Sequence, residues 1–282
     1  MAQDGVIAPG ERLVVACSGG SDSVALAAIL AGLASEMRLS LLLVHVNHGL
    51  RKSSWQDEAV VLRVSAAVGV PVRVVALSGL SDDEATLRAA RYDGLADAAV
   101  EFGAQAVVTG HNAEDQTETL LLALFRGTGP RGLAGMPARR SLSPGIDLAR
   151  PLLRFGRSSL RRYCEVAGLP YAIDPSNADL ELRRNAVRHA LQALRPLFPG
   201  LDEAAARTAT LVSDELEETP SALGRKQIRQ ALSEEGGLTD IDFTHVEAAL
   251  KTLERGGTGR FFMKDGVELQ IERGRLTVHR AP

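Results

Sequence analysis

The chain of 282 residues is long enough for about two domains. Its content of 45% hydrophobic and 24% charged residues is typical of globular proteins and excludes a disordered or fibrous chain. No segment approaches the ~20 apolar residues of a membrane helix, and the first residues lack the pattern of a secretory signal. Cys17 and Cys164 form no CxxC motif, which argues against a disulfide framework or a zinc site. We therefore expect a cytoplasmic protein with no membrane partner.

The net charge of −3 conceals a basic segment in the middle of the chain. Residues 1–125 carry a net charge of −7, residues 126–195 carry +8, and residues 196–282 carry −4. A basic segment between acidic neighbours indicates a surface for a polyanion such as a nucleic acid. The alternative is a general preference for arginine, because the chain has 28 Arg and 4 Lys. The sequence leaves both explanations open.

Strand and helix patterns alternate through the first 125 residues. Short runs rich in Val, Leu or Ala, bounded by Gly, Pro or polar residues, predict buried strands at residues 13–16, 41–46, 70–75 and 106–109. Helical patterns follow them at residues 22–34, 54–68, 82–102 and 115–125. This alternation predicts an α/β fold in which a parallel sheet carries helices on both faces.

Gly and Pro residues interrupt the chain after residue 125. Residues 126–150 are rich in both and predict a long loop. Further helices are predicted at residues 158–167, 182–194, 201–218, 223–234 and 243–254, with a hairpin over 260–271 and a strand over 275–279. We therefore expect a large domain over residues 1–200, a linker helix over 201–219 and a small C-terminal α+β domain over 220–282.

A turn rich in glycine and serine connects the first predicted strand to the first helix. Its residues are Ser18, Gly19, Gly20, Ser21, Asp22 and Ser23. Phosphates bind at this connection in open parallel sheets, because the helix N-terminus presents unpaired N–H groups. The glycines permit close approach, the serines supply hydroxyl groups, and Asp22 beside a phosphate implies a bridging Mg²⁺. The turn is neither a Walker A nor a GxGxxG motif, and the structural alternative is a capped helix after a glycine turn.

Polar residues follow the second and fourth predicted strands. The segment His45–Arg51 ends the second strand, and Gly110–Thr119 ends the fourth strand and begins a helix. Within that helix, Asp115 and Glu118 are three residues apart and share one face. His111 precedes them, and Arg91 lies in the preceding helix. Each residue taken alone has an ordinary structural role, but their common position at one sheet edge favours a site.

These motifs resemble those of a known family. Residues 18–23 resemble the signature of the N-type ATP pyrophosphatases, or PP-loop proteins, which cleave ATP between the α- and β-phosphates. With the later motifs, residues 13–189 resemble the tRNA(Ile)-lysidine synthetase family. The matching segments are residues 18–23, 45–51, 90–92, 110–119, 126–129, 132–136, 150–153, 163–164, 174–177 and 184–189. The resemblance implies an adenine nucleotide α-hydrolase-like catalytic domain over residues 1–200 and a tRNA-docking role for 220–282.

The resemblance also implies a reaction. ATP would adenylate O2 of the wobble cytidine in a tRNA(Ile) with a CAU anticodon and release pyrophosphate. The ε-amino group of free L-lysine would then attack C2 of the cytosine, and AMP would leave. Free lysine is charged at neutral pH because its pKa is near ~10.4, so carboxylates must hold it and a group must accept its proton.

Individual roles follow from the matched positions. Asp115 and Glu118 match the acids that contact lysine, and Asp22 matches the acid linked to Mg²⁺. Arg91 and His111 match residues near the nucleotide and the reacting centre, where a cation offsets developing charge. The turn at residues 18–23 would hold the ATP. The tRNA-binding residues would be Arg184, which matches a family residue tied to tRNA, and Arg188, which is one helical turn away.

Two other functions stay open. A tRNA thiolation enzyme of the same superfamily also adenylates a base but needs a cysteine pair or an Fe–S cluster, which Cys17 and Cys164 do not suggest by their spacing. A non-catalytic ATP-binding module needs the glycine-serine turn but not Asp115, Glu118 and the basic segment. The sequence does not determine the oligomeric state, and a homodimer is one option.

Overall fold

The computed structural model describes residues 5–47, 54–77, 84–172, 183–217, 219–234, 243–262, 267–272 and 275–280. The chain divides into two compact units, Met1–Ala209 and Thr210–Pro282. Several predicted features lie wholly or partly outside the described residues: the end of the His45–Arg51 segment, the residues before Glu84 in the third predicted helix, the turn at residues 174–177, residue 182 of the next helix, residue 218 of the linker helix and residues 263–266 of the hairpin. Within the described part of the chain, no helix has the length and hydropathy needed to cross a bilayer.

Strands and helices alternate through the first unit, as predicted. Its elements are β1 (Arg12–Ala16), α1 (Ser21–Met37), β2 (Ser40–Asn47), α2 (Ser54–Val68), β3 (Val72–Ala76), α3 (Glu84–Phe102), β4 (Ala106–Val108), α4 (Ala113–Phe125), α5 (Pro130–Leu133), β5 (Arg139–Ser143), β6 (Ile146–Ala149), α6 (Arg157–Val166), α7 (Arg183–Leu194) and α8 (Leu201–Leu216). The boundary between the two units falls within α8.

The six strands form one sheet in the order β3-β2-β1-β4-β6-β5. Neighbouring strands are parallel except for the last pair, β6 and β5. Val14 at the centre of β1 pairs with Leu42 of β2 and with Val107 of β4. The predicted α/β fold with a mostly parallel sheet is therefore confirmed.

Both faces of this sheet are buried under helices. Leu13 and Val15 of β1 pack on one face, in a cluster that includes Leu26 of α1. Val14 points the other way and packs with Leu95 of α3. Side chains alternate between the faces of a strand, so a strand covered on both faces must be apolar at every position. This requirement explains the unbroken apolar runs in the sequence.

The order of the strands places a crevice beside β1. The chain adds β2 and β3 on one side of β1, and then crosses to add β4 on the other side. At such a reversal, the loops that follow the two central strands separate and leave a crevice at the carboxyl edge of the sheet. The turn before α1 and the segment before α4 both lie at this edge, because they follow β1 and β4.

Residues 126–150 are more ordered than predicted. They contain the short helix α5 and a hairpin of β5 and β6, and β6 pairs with β4 to extend the main sheet. The prediction of a long loop was wrong here, because β6 has only four residues and no periodicity to reveal it. The burial of β6 shows instead that it belongs to the sheet, since its Leu148 is fully buried.

The second unit is a small α+β body. It contains α9 (Pro220–Glu234), α10 (Phe243–Glu254), β7 (Gly259–Phe262), β8 (Val267–Glu272) and β9 (Arg275–Arg280). The strands form an antiparallel sheet in the order β7-β8-β9. Ile228 of α9 and Leu250 of α10 pack with Leu269 of β8 in its core. The predicted C-terminal α+β architecture is therefore confirmed.

Candidate functional site

Internal hydrogen bonds shape the turn between β1 and α1. Gly19 has a φ of +91°, which residues other than glycine rarely adopt. A Cβ at this position would lie 3.3 Å from the backbone oxygen of Asp57. The Ser23 hydroxyl donates to the carbonyl of Gly20 at 2.9 Å and accepts from the N–H of Ser18 at 3.2 Å. No side chain caps α1, because its N-cap residue is Gly20. The turn thus leaves the N-terminus of α1 suited to an anion.

The segment after β4 lies directly against this turn. A Cβ on Gly110 would lie 3.0 Å from the carbonyl carbon and oxygen of Asp22 and 3.1 Å from the nitrogen of Ser23. Only glycine therefore permits this approach of the two backbones. The Asn112 side chain secures the contact by donating to the Asp22 carboxylate at 2.9 Å. The starts of α1 and α4 are thereby joined, as the sequence motifs predict.

A capping box fixes the predicted acids at the start of α4. The Asn112 side chain accepts from the N–H of Asp115 at 3.0 Å, and the Asp115 side chain accepts from the N–H of Asn112 at 3.1 Å. This box uses one carboxylate oxygen of Asp115 and leaves the other for a further partner. Glu118 follows almost one helical turn later and is fully buried. The two carboxylates share one face, as expected.

The predicted tRNA-binding arginines contact these acids. Arg184 Nε donates to Glu118 at 2.8 Å, and the Arg188 guanidinium donates to both oxygens of Glu118 at 2.7 and 3.1 Å. Arg184 also donates to Asp115 at 3.3 Å. Hydrogen bonding to Glu118 raises the pKa of Arg188. Both side chains thus turn toward the acids of α4, whereas the sequence alone suggested that they face a phosphate backbone.

Arg157 is a site residue that the sequence did not single out. Its Nε lies 3.3 Å from Asp22 and its Nη2 lies 3.4 Å from Asp115, so one guanidinium spans both acids. Its backbone N–H donates to both carboxylate oxygens of Glu114 at 2.9 Å, which attaches the start of α6 to α4. Burial raises the pKa of Asp22, and the charge of Arg157 opposes that increase.

His111 and Arg91 lie on a strongly cationic side of the site. The His111 Nδ1 is 2.8 Å from the Thr109 hydroxyl. Burial and, to a smaller extent, the charges of four nearby arginines together lower the pKa of His111 to about 3; these are Arg150, Arg184, Arg88 and Arg91. His111 is therefore neutral at physiological pH. Burial also lowers the pKa of Arg91.

His45 and the cysteines have structural partners in the same region. The His45 Nδ1 lies 2.9 Å from the carbonyl oxygen of Cys17, at the end of β1. Cys17 and Cys164 are both buried free thiols, and Cys164 donates to the carbonyl of Ser21 at 3.4 Å. Burial raises the pKa of Cys17, and it raises the pKa of Cys164 to about 11. Both thiols are therefore protonated at neutral pH, which suits packing rather than nucleophilic chemistry.

Asp22 has the features of a ligand for a nucleotide-borne Mg²⁺. It is the only carboxylate of the turn, and one of its oxygens accepts from Asn112. The described residues contain no group of three or more His, Cys, Asp or Glu side chains able to hold a metal by themselves. Mg²⁺ commonly binds through one or two carboxylates together with substrate phosphates and water. The residues present therefore fit an ion that arrives with ATP.

Known proteins resemble this chain in sequence and in fold. The PP-loop domain family matches residues 2–194. A tRNA(Ile)-lysidine synthase from Salinispora tropica is 48% identical over 207 residues, which cover 71% of this chain and 62% of that protein. Another from Gloeobacter violaceus is 38% identical over 221 residues, which cover 78% of this chain and 68% of that protein.

The chain is shorter than many of these relatives, since it spans 62% to 66% of the length of four of them. Among solved structures, a U34-tRNA thiolase from Methanococcus maripaludis with its [4Fe-4S] cluster superposes with a TM-score of 0.63 at 17% identity, over 74% of each chain. At that identity the likeness supports the fold alone. The sequence matches show the family as well as the fold. The chain belongs to the PP-loop domain family and, within it, to the tRNA(Ile)-lysidine synthases.

Proposed function

We propose that the chain ligates free L-lysine to the wobble cytidine of a tRNA(Ile) with a CAU anticodon, at the expense of ATP. One observation carries this proposal: the anion-binding turn that contains Asp22 joins the buried acids of α4 through Asn112 and Arg157. The turn that we assign to the phosphates and the acids that we assign to a cationic substrate would therefore act side by side. Adenylation of a base followed by attack of an amine requires this pairing.

The first step would use the turn and its cationic surroundings. The N-terminus of α1 and the Ser18 and Ser21 hydroxyls would hold the triphosphate, with O2 of the cytosine attacking the α-phosphate. Pyrophosphate would leave, and an adenylated cytidine would form. Asp22 would hold a Mg²⁺ ion that offsets charge on the phosphates. Arg91 would stabilise the negative charge that develops at the α-phosphate.

The second step would use the acids of α4. Asp115 and Glu118 would bind the lysine, whose deprotonated ε-amine attacks C2 of the cytosine and displaces AMP. Three hydrogen bonds from Arg184 and Arg188 already occupy the Glu118 oxygens. A lysine ammonium must therefore compete with at least one of these arginines. The neutral His111 beside the reacting groups would be available for hydrogen bonding rather than as a cation.

The roles in tRNA binding follow from the same contacts. We assign Arg184 and Arg188 to the tRNA, and each would have to exchange a carboxylate partner for a phosphate in the complex. The second unit, which includes residues 220–282, would help to dock the tRNA outside the anticodon. The target base belongs to a single-stranded loop, so its entry into the site costs little unpairing energy.

The thiolation alternative lacks the chemistry that it needs. A sulfur-transfer enzyme requires a reactive thiolate or a cluster bound by several cysteines. Cys17 and Cys164 are buried, and the pKa of each is raised. The test is incorporation of tritiated lysine into an unmodified tRNA(Ile) transcript with a CAU anticodon, in the presence of Mg²⁺ and ATP.

We expect labelled RNA with this transcript and none when the wobble cytidine is replaced by uridine. Glu118→Gln should bind ATP normally but transfer lysine at least ~100-fold more slowly, because a buried charged contact to the substrate is lost. Glu165→Gln is the matched control, since Glu165 is an exposed acid of α6 that pairs with Arg161. Absence of label with the folded protein, or transfer of sulfur instead, contradicts the proposal.

A further inference from the structure

Two arginines lie over one tyrosine at the cationic side of the site, and a third arginine is buried in the same region. Arg88 donates to the Tyr92 hydroxyl at 3.3 Å, and its guanidinium carbon lies 5.1 Å from the centre of the ring. The guanidinium carbon of Arg91 lies 5.4 Å from the same ring centre. Arg150, which is 3% exposed, lies in the same region, because its charge acts on His111 together with those of Arg88 and Arg91. We call Arg88, Arg91 and Arg150 the tyrosine-centred arginine cluster.

The described residues place no carboxylate within salt-bridge distance of this cluster. Arg150 Nη1 donates to the carbonyl of Pro137 at 2.8 Å, but its Nε is buried without a hydrogen-bond partner. Burial lowers the pKa of both Arg91 and Arg150, and the charge of Arg88 adds to both effects. Buried cations of the same sign are costly unless an anion compensates them.

Other arginines of the first unit show the usual solution. Arg139 pairs with Glu11 and Asp147, Arg195 pairs with Asp202, and Arg184 pairs with Glu118. A cluster that has no acid partner among the described residues, in a unit where comparable arginines have one, suits an external anion. His111 lies among these charges and takes no proton at neutral pH, so it does not add to the repulsion.

We propose that Arg88 and Arg150, together with the Arg91 already assigned to the α-phosphate, bind a further phosphate that the turn preceding α1 does not reach. Guanidinium groups suit this ligand because each presents several donors in a plane that matches phosphate oxygens. Two sources supply the same chemistry: a nucleotide phosphate beyond the reach of the turn, and a backbone phosphate of the RNA. Which of these sources applies depends on the proposed function, whereas the existence of the phosphate site does not depend on it.

Binding of inorganic phosphate tests the site without any catalysis. The His111 imidazole serves as a local reporter, because the arginines of the cluster face it and lower its pKa. Phosphate should change the chemical shifts of the His111 imidazole at neutral pH, as followed by NMR of isotope-labelled histidine. Arg150→Met and Arg88→Gln should each raise the phosphate concentration needed for half of this effect about tenfold, the change expected for loss of one charge-assisted hydrogen bond.

Arg73→Gln is the matched control, since Arg73 is an exposed arginine that pairs with Glu101 and its loss changes the net charge equally. Arg88 is only half-buried, so Arg88→Gln keeps the test usable if Arg150→Met does not fold. A phosphate response that is unchanged in folded Arg88→Gln, or that changes as much in Arg73→Gln, would overturn the proposal.

Two further measurements identify the source of the phosphate. If it belongs to the nucleotide, Arg88→Gln weakens ATP binding about tenfold and leaves RNA binding unchanged. If it belongs to the RNA, the variant lowers the slope of log affinity against log salt by about 1 and leaves ATP binding unchanged. Equal behaviour of Arg88→Gln and Arg73→Gln in both measurements contradicts the site. A chain that fails to transfer lysine but shows these phosphate effects refutes only the proposed function.

Discussion

The contact between Glu118 and Arg188 yields a quantitative prediction. Glu118 is fully buried, and Arg188 Nε and Nη2 donate to its two oxygens at 2.7 and 3.1 Å. Arg184 supplies a third hydrogen bond at 2.8 Å. Replacing Glu118 by Gln keeps the shape but leaves two arginines facing a neutral amide. This change should therefore destabilise the first unit by disrupting charge pairing rather than packing.

The magnitude follows from the burial of the pair. Removing one partner of a buried ion pair costs about 3–5 kcal/mol, so we expect Glu118→Gln to lower the free energy of unfolding by this amount. Arg188→Gln should cost about 1.5–3 kcal/mol, because Arg184 still pairs with Glu118. The double variant should lose about 2 kcal/mol less than the sum of the single losses, which is within the range for residues in contact.

Urea unfolding followed by circular dichroism measures these three free energies in buffer without ATP or Mg²⁺. The matched control is a second cycle with Arg161→Gln, because Arg161 pairs with Glu165 rather than with Glu118. That control cycle should be additive within about 0.5 kcal/mol. Additive losses in the Glu118 and Arg188 cycle as well would refute the buried ion pair on which this description of the site depends.

Three further predictions concern the surroundings of the same site. His111 is neutral in the folded protein but takes a proton near pH 6.5 in the unfolded chain. Lowering the pH from 7 to 5 should therefore decrease the free energy of unfolding of the wild-type protein by about 2 kcal/mol more than that of His111→Gln, as measured by urea unfolding. Gly110→Ala should lower the free energy of unfolding by about 1–3 kcal/mol in the same assay and weaken ATP binding, because its Cβ would displace the backbone of Asp22. The control Gly129→Ala should lower it less, because a Cβ on Gly129 meets open space. Cys164 should react with iodoacetamide at pH 8 far more slowly in the native protein than in urea, as mass spectrometry would show, since its pKa is about 11 and it is buried.

Much of the first unit was predictable because its elements have strong local patterns. The predicted helix at residues 54–68 matches α2 in both bounds, and the four predicted strands all exist. The Gly-Ser turn was identifiable because it stands between a strand and a helix. By contrast, β6 depends on pairing with β4, which lies about 40 residues away in sequence, and β5 in turn pairs with β6, so these short strands have little local signal.

The candidate site shows the same division between local and long-range information. The positions of Asp115 and Glu118 on one face of α4 follow from their spacing alone. No motif distinguishes Arg157 from the other arginines of residues 126–195, and its contact with Asp22 joins positions 135 residues apart. The direction of Arg184 and Arg188 depends on how α7 packs on α4, which no local pattern encodes. Local sequence therefore identified the acids but not their partners.

The stoichiometry of the reaction tests the central claim, that ATP activation and lysine binding share one site. Purified protein, Mg²⁺, radiolabelled ATP, tritiated lysine and the tRNA(Ile) transcript would be mixed, and lysine in RNA, AMP and pyrophosphate would be counted at intervals. We predict that all three appear in equal amounts, and that without lysine the release of pyrophosphate stops after one adenylation per RNA while no free AMP forms. Steady AMP or ADP formation without lysine in the RNA would contradict the account.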